Sequence, residues 1–235
     1  MVVTREYVDI GTMRTFVAAP AAEGAYPGVV FYTDIFQLTE ASLRWAVRLA
    51  GYGFVVAAPE IYHRVEPPGT VLGFDDEGKA RGQADVEALT TAQFDEDIAV
   101  ALAWLGERCD AVGAAGHCTG GHLAFRAAFD TRVKGTVCWY ATGLHNGKLG
   151  ADKTDSLERA SEIGGEILLI WGTRDPHTPQ EGRDIVREGL AETTFEWSEY
   201  DAEHAFGRDI GHRFDPEATD LAFAETVAFF RRTLA

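Results

Sequence analysis

Cys118 stands between two glycines in "AAGHCTGGHLAF" (114–125), where an apolar run gives way to a helical pattern. A strand, then Gly-x-Cys-x-Gly, then a helix is the context of a nucleophile elbow. Such a turn lifts its central side chain above the edge of a sheet. The helix N-terminus behind it carries partial positive charge, which favours a thiolate and a developing oxyanion. The backbone N–H of Thr119, next in the chain, is then one oxyanion donor. A thiol nucleophile also needs a base, and the base needs an orienting carboxylate. "TRDPHTP" supplies Asp175 and "DAEHAFGRD" supplies His204, each directly after a strand-like run.

A second oxyanion donor is expected at the break after "GVVFYT" (28–33), where the N–H of Ile35 is the natural candidate. Asp34 beside it is a carboxylate at the end of a buried strand, costly to bury unpaired and aimed at the same edge as Cys118. A helix cap, a salt bridge and contact with the thiol are its open readings. The other histidines fit the base role less well. His177 shares the loop of Asp175, His117 and His122 flank the elbow as packing or capping residues, and His145 and His212 fall in polar loops. The spacing of His117, Cys118 and His122 matches no zinc pattern, so neither metal nor cofactor is expected. Cys109 and Cys138 read as buried structural thiols.

These residues need a scaffold that brings distant loops together. Strand-like runs lie at 13–19, 28–33, 53–59, 111–116, 135–140, 166–172 and 193–200. Helical patterns fall between them: "LTEASLRWAVRLAGYG", "FDEDIAVALAWLGER", "GGHLAFRAAFD" and "TPQEGRDIVREGLA", with "EATDLAFAETVAFFRRTL" closing the chain. The middle runs are continuously apolar, as strands covered on both faces are. Strand and helix in turn predict an α/β fold with a mainly parallel twisted sheet and helices on both faces. Ligands of such sheets bind beyond the carboxyl ends of the strands, which is where Cys118, Asp175, His204 and Asp34 all fall. Residues 61–82, "IYHRVEPPGTVLGFDDEGKARG", break the rhythm as a long connection, read as a lid-like loop.

The 235 residues, 46% of them hydrophobic, suit one domain spanning 1–235. No apolar run is long enough to span a membrane, and "MVVTREYVDIG" lacks the layout of a signal peptide. Three cysteines are too few for a disulfide framework, which fits a reducing cytoplasm. A net charge of −16 disfavours nucleic acid and anionic lipid as partners. It also requires local arginines to capture an anionic substrate.

The sequence resembles the dienelactone hydrolases, the cysteine branch of the α/β-hydrolases. "GHCTGG" matches the elbow of that family and "YTDIFQ" its early acidic stretch. "APEIYHR" resembles its Pro-acidic-Leu-Tyr segment, "WGTRDPHTP" its acid loop and "AEHAFGR" its histidine loop. The resemblance covers essentially the whole chain. It implies the α/β-hydrolase fold, a triad of Cys118, His204 and Asp175, and an acyl-enzyme formed from a small lactone or ester. It implies too that the carboxylate at position 34 controls the thiol's proton, and that Arg208 holds a substrate carboxylate. Arg81, or its rival Arg64, is the expected second clamp. The partner is then a small carboxylate-bearing ester or lactone, and the chain a monomer or homodimer. A general esterase or thioesterase would need no clamp, and a silent thiol sensor would have no use for Asp175. Two positions depart from the pattern. Asp34 replaces a glutamate, shortening the reach by about 1.5 Å, and His117 replaces an aromatic residue.

Overall fold

The computed structural model describes residues 1–235. Its frame is an eight-stranded sheet in the order β1-β2-β4-β3-β5-β6-β9-β10. The strands are β1 (Val3–Ile10), β2 (Met13–Pro20), β3 (Gly28–Tyr32), β4 (Val55–Pro59), β5 (Val112–His117), β6 (Val133–Trp139), β9 (Glu166–Gly172) and β10 (Phe195–Tyr200). A separate hairpin pairs the two-residue strands β7 (Lys148–Leu149) and β8 (Asp152–Lys153). From β4 to β10 every pairing in the large sheet is parallel, while β1 and β2 join antiparallel at one edge. Every residue of β3 and β5 is buried. Two covered faces explain why these runs are apolar throughout.

Side chains alternate across that sheet. Val29 and Phe31 face a core built with Trp45, Ala46 and Leu49 of α1 (Glu40–Ala50) and Phe223, Phe229 and Phe230 of α6 (Pro216–Thr233). Val30 and Tyr32 face the opposite core. Phe94, Ile98 and Leu102 of α3 (Thr91–Gly106), Leu123 of α4 (Thr119–Ala127) and Val186 of α5 (Gln180–Gly189) lie there. The chain has the α/β-hydrolase arrangement, and the carboxyl ends of β3, β5, β9 and β10 open on one edge.

Two elements depart from the sequence reading. β1 was not among the expected strands, because it lies at the sheet edge with only Ile10 fully buried. The connection read as a loop over 61–82 contains the start of a helix, α2 (Asp76–Glu87). The buried residues of α2 are Gly78 and Gly82. An apolar stripe is the usual signal of a packed helix, and this helix docks instead through two glycines one turn apart.

Candidate active site

The elbow is built by close packing of glycines. Cys118 has φ 57° and ψ −120°, a backbone conformation uncommon for a residue with a side chain. The surrounding structure holds it there. Its N–H donates to Trp139 O (3.0 Å), and its carbonyl accepts from Gly121 N (3.0 Å) and Thr142 N (3.2 Å). A Cβ on Gly116 would lie 1.9 Å from Gly120 O, and one on Gly120 would lie 2.1 Å from Tyr32 O. Only glycine lets β3, β5 and α4 approach this closely. The half-buried thiol therefore stands at the N-terminus of α4, with its sulfur 4.0 Å from Thr142 Oγ1.

The structure brings His204 and Asp175 together. His204 Nδ1 lies 2.7 Å from Asp175 Oδ2, and Asp175 Oδ1 accepts from His177 N–H at 2.8 Å. Burial alone would lower the pKa of His204. Negative charge at Cys118 and the hydrogen bond to Asp175 oppose it and push the imidazole up to about 9. Burial likewise works to raise Asp175, but the His204 hydrogen bond and charge hold the carboxyl below its usual range. With Nδ1 committed to Asp175, proton exchange falls to Nε2.

His204 shares with Cys118 a cavity of about 500 Å³, a size suited to a small ligand, while Asp175 lies buried behind it. Ile35, Thr119, Asp34 and Arg208 line it as well. The Ile35 N–H donates to no backbone acceptor, and the Thr119 N–H lies in the first turn of α4, where the helix itself supplies no partner. Asp34 Oδ1 accepts from Phe36 N (3.0 Å), and its Oδ2 lies 3.4 Å from Arg208 Nη1. Burial raises the Asp34 pKa, against the opposing pull of Arg208 and the Phe36 N–H. The Arg208 guanidinium also stacks on Phe74 at 4.2 Å and Phe36 at 5.1 Å.

The expected second clamp is elsewhere. Arg81 donates twice to Glu66 (2.6 Å each) and does not line the cavity. Arg64 is held by Asp97 and Glu96. Each arginine stands beside an acid nearer than the cavity, and sequence order cannot reveal that competition. Lys79, one turn before Gln83 on α2, lines the cavity and has no carboxylate within 4.0 Å.

The remaining histidines divide by environment. His122 is locked between Thr142 O (3.0 Å) and Ser156 Oγ (2.8 Å), and burial lowers its pKa to about 3. His117 packs among Phe31, Trp45, Trp139 and Tyr140, where burial also lowers it to about 3. An aromatic-lined slot explains how imidazole serves where an aromatic ring was expected. His177 stands 4.5 Å from His204 between ring centroids, and it lines the cavity, as does His212. The polar-loop reading of His212 missed this placement, since the long loop before α6 folds back over the cavity. Thr142 carried no signal in sequence.

The sequence model of the dienelactone hydrolase family matches residues 13–234. The chain belongs to the dienelactone hydrolase family. A Saccharomyces cerevisiae protein provisionally named carboxymethylenebutenolidase is 34% identical over 259 residues, covering 100% of this chain and 93% of that protein. A carboxymethylenebutenolidase of a Pseudomonas species is 29% identical, covering 90% of this chain and 87% of its own. Among solved structures, a provisionally named dienelactone hydrolase of Klebsiella pneumoniae superposes with a TM-score of 0.85 at 23% identity, covering 99% of this chain and all of that one. This dienelactone hydrolase family member is thus a hydrolase of the ester and lactone class. None of its helices is long and apolar enough to cross a membrane.

Proposed function

We propose that the protein hydrolyses a small lactone or carboxylic ester through an acyl-enzyme on Cys118, with a carboxylate-bearing, dienelactone-type substrate as the best fit. The observation that carries this reading is the strained Cys118 elbow sharing one cavity with His204, whose other ring nitrogen is hydrogen-bonded to buried Asp175. The thiolate adds to the substrate carbonyl carbon, and the N–H groups of Ile35 and Thr119 receive the oxyanion. Collapse breaks the C–O bond, and the leaving oxygen takes a proton from the His204 imidazolium. Neutral His204 then draws a proton from water, the hydroxide attacks the thioester, and the acid leaves with Cys118 restored.

Asp34 is the proposed controller of the thiol proton. Burial makes its carboxylate a better proton acceptor, and Arg208 is the cation that offsets this. A substrate carboxylate drawn to Arg208 competes with Asp34 for that guanidinium and leaves Asp34 free to take the proton. Three unpaired cysteines suit a reducing compartment such as the cytoplasm.

A side-by-side assay of a dienelactone and a neutral p-nitrophenyl ester tests the reading, with Cys118→Ala as control. Turnover of the dienelactone with a lower KM, abolished in Cys118→Ala, is the expected result. Equal kinetics on both substrates would leave a general esterase, and turnover retained by Cys118→Ala would overturn the nucleophile.

A further inference from the structure

We infer that α2 is a brace for the oxyanion loop, with Gly82 as a positioning residue and the Arg81–Glu66 pair as its fastening. The inference rests on Ile35 being an oxyanion donor, as proposed above. A Cβ on Gly82 would lie 2.4 Å from Ile35 O and 3.1 Å from Ile35 Cβ. The helix backbone therefore rests directly on Ile35, which lines the cavity and carries the proposed donor N–H. The connection that leads into α2 grips the same loop at the next residue. Leu72 N–H donates to Phe36 O at 3.2 Å, and Phe74 packs edge-on against Phe36 with ring centroids 4.8 Å apart.

With Val86 near its C-terminal end as its apolar contact with the core, the helix needs a further anchor. Arg81 adjoins Gly82 and makes a two-bonded pair with Glu66, whose side chain is buried. Such a fork fixes orientation as well as distance. Gly78 adds a second close approach, its Cβ position lying 2.1 Å from Gly73 O. Bulk at Gly82 must move either α2 or Ile35, and the fastening resists movement of α2. Displacement of one oxyanion donor by a fraction of an ångström costs part of the hundredfold or more that such a donor supplies.

The test is Gly82→Ala, with kcat and KM measured on the neutral and carboxylate-bearing esters. Alkylation of Cys118 by iodoacetamide is followed against pH in the same variant. Alkylation joins sulfur to carbon and expels iodide, so it forms no oxyanion. The expected result is a ten- to hundredfold fall in kcat on both esters, KM within about threefold, and an unchanged alkylation profile. Exposed Ala80→Ser on the same helix keeps wild-type kinetics. Unchanged kcat in Gly82→Ala overturns the brace, and so does a shifted alkylation profile, which would place the effect on Asp34. Should Gly82→Ala not fold, Arg81→Met decides, with a severalfold loss of kcat on both esters expected and wild-type kcat contrary. Cys118→Ala separates the two levels. Activity surviving there removes the catalytic reading itself, whereas a dead Cys118→Ala beside an active Gly82→Ala removes the brace alone.

Discussion

Replacing Asp175 by Asn tests the proposed His204 base at its least exposed point. The carboxylate is fully buried and receives two donors, His177 N–H on Oδ1 and His204 Nδ1 on Oδ2. In the amide, the oxygen must stay opposite the His177 N–H, which offers only a donor. The amide nitrogen then faces His204 and donates to Nδ1. His204 is forced into the tautomer with its proton on Nε2, where it cannot accept from thiol or water. The negative charge that helps hold His204 up at about 9 disappears in the same step. A wrong tautomer in a nucleophile–histidine–carboxylate array costs about three to four powers of ten in kcat, or ~4–5 kcal/mol of barrier. The assay is kcat on p-nitrophenyl acetate at pH 7, with a melting curve to establish that the variant is folded. A folded Asp175→Asn protein within tenfold of wild-type kcat would refute the argument, because no buried neutral amide in that position leaves Nε2 basic.

Arg208→Ala is expected to raise KM for a carboxylate-bearing ester at least tenfold more than for a neutral one. Lys79→Met should do the same more weakly, while Arg81→Met leaves the ratio of the two KM values unchanged; the paired kinetics distinguish them. Gly120→Ala places a methyl 2.1 Å from Tyr32 O and 2.4 Å from Thr33 O. It should cost at least ~3 kcal/mol, lowering Tm by roughly 6–12 °C in calorimetry. Asp85, raised to about 6 by burial and by Glu66 beside it, binds its proton more tightly folded than unfolded. Its charge therefore opposes folding above that value, and the opposition fades as pH falls through 6 towards 3.8. Asp85→Asn is expected to raise the urea midpoint at pH 8 and to leave it unchanged near pH 3; equal midpoints at pH 8 would contradict this.

The parallel strands were legible because burial on both faces demands uninterrupted apolar runs, as in "GVVFY" and "EILLIWG". The elbow was legible because backbone crowding at Gly116 and Gly120 forbids any side chain. β1 escaped notice because an edge strand buries little. The helix α2 escaped because glycine contributes no periodic apolar signal, although its two glycines are the docking face. The pairing of Asp34 with Arg208 joins residues 174 positions apart, beyond any local pattern.

What the sequence determined by itself was the chemistry on offer. It contained a thiol in a glycine-tight turn, an acid and a histidine after later strands, and an order of elements that sends all three to one sheet edge. Those are consequences of local sterics and of strand direction, which composition and spacing encode. Only the tertiary structure decided which charges remain available at that edge. Arg208 enters the cavity and Arg81 does not, because Glu66 accepts from Nε and Nη2 of Arg81 at 2.6 Å each. An ion pair depends on distance and burial rather than on position along the chain, so the partner of each arginine was fixed only when the chain had folded.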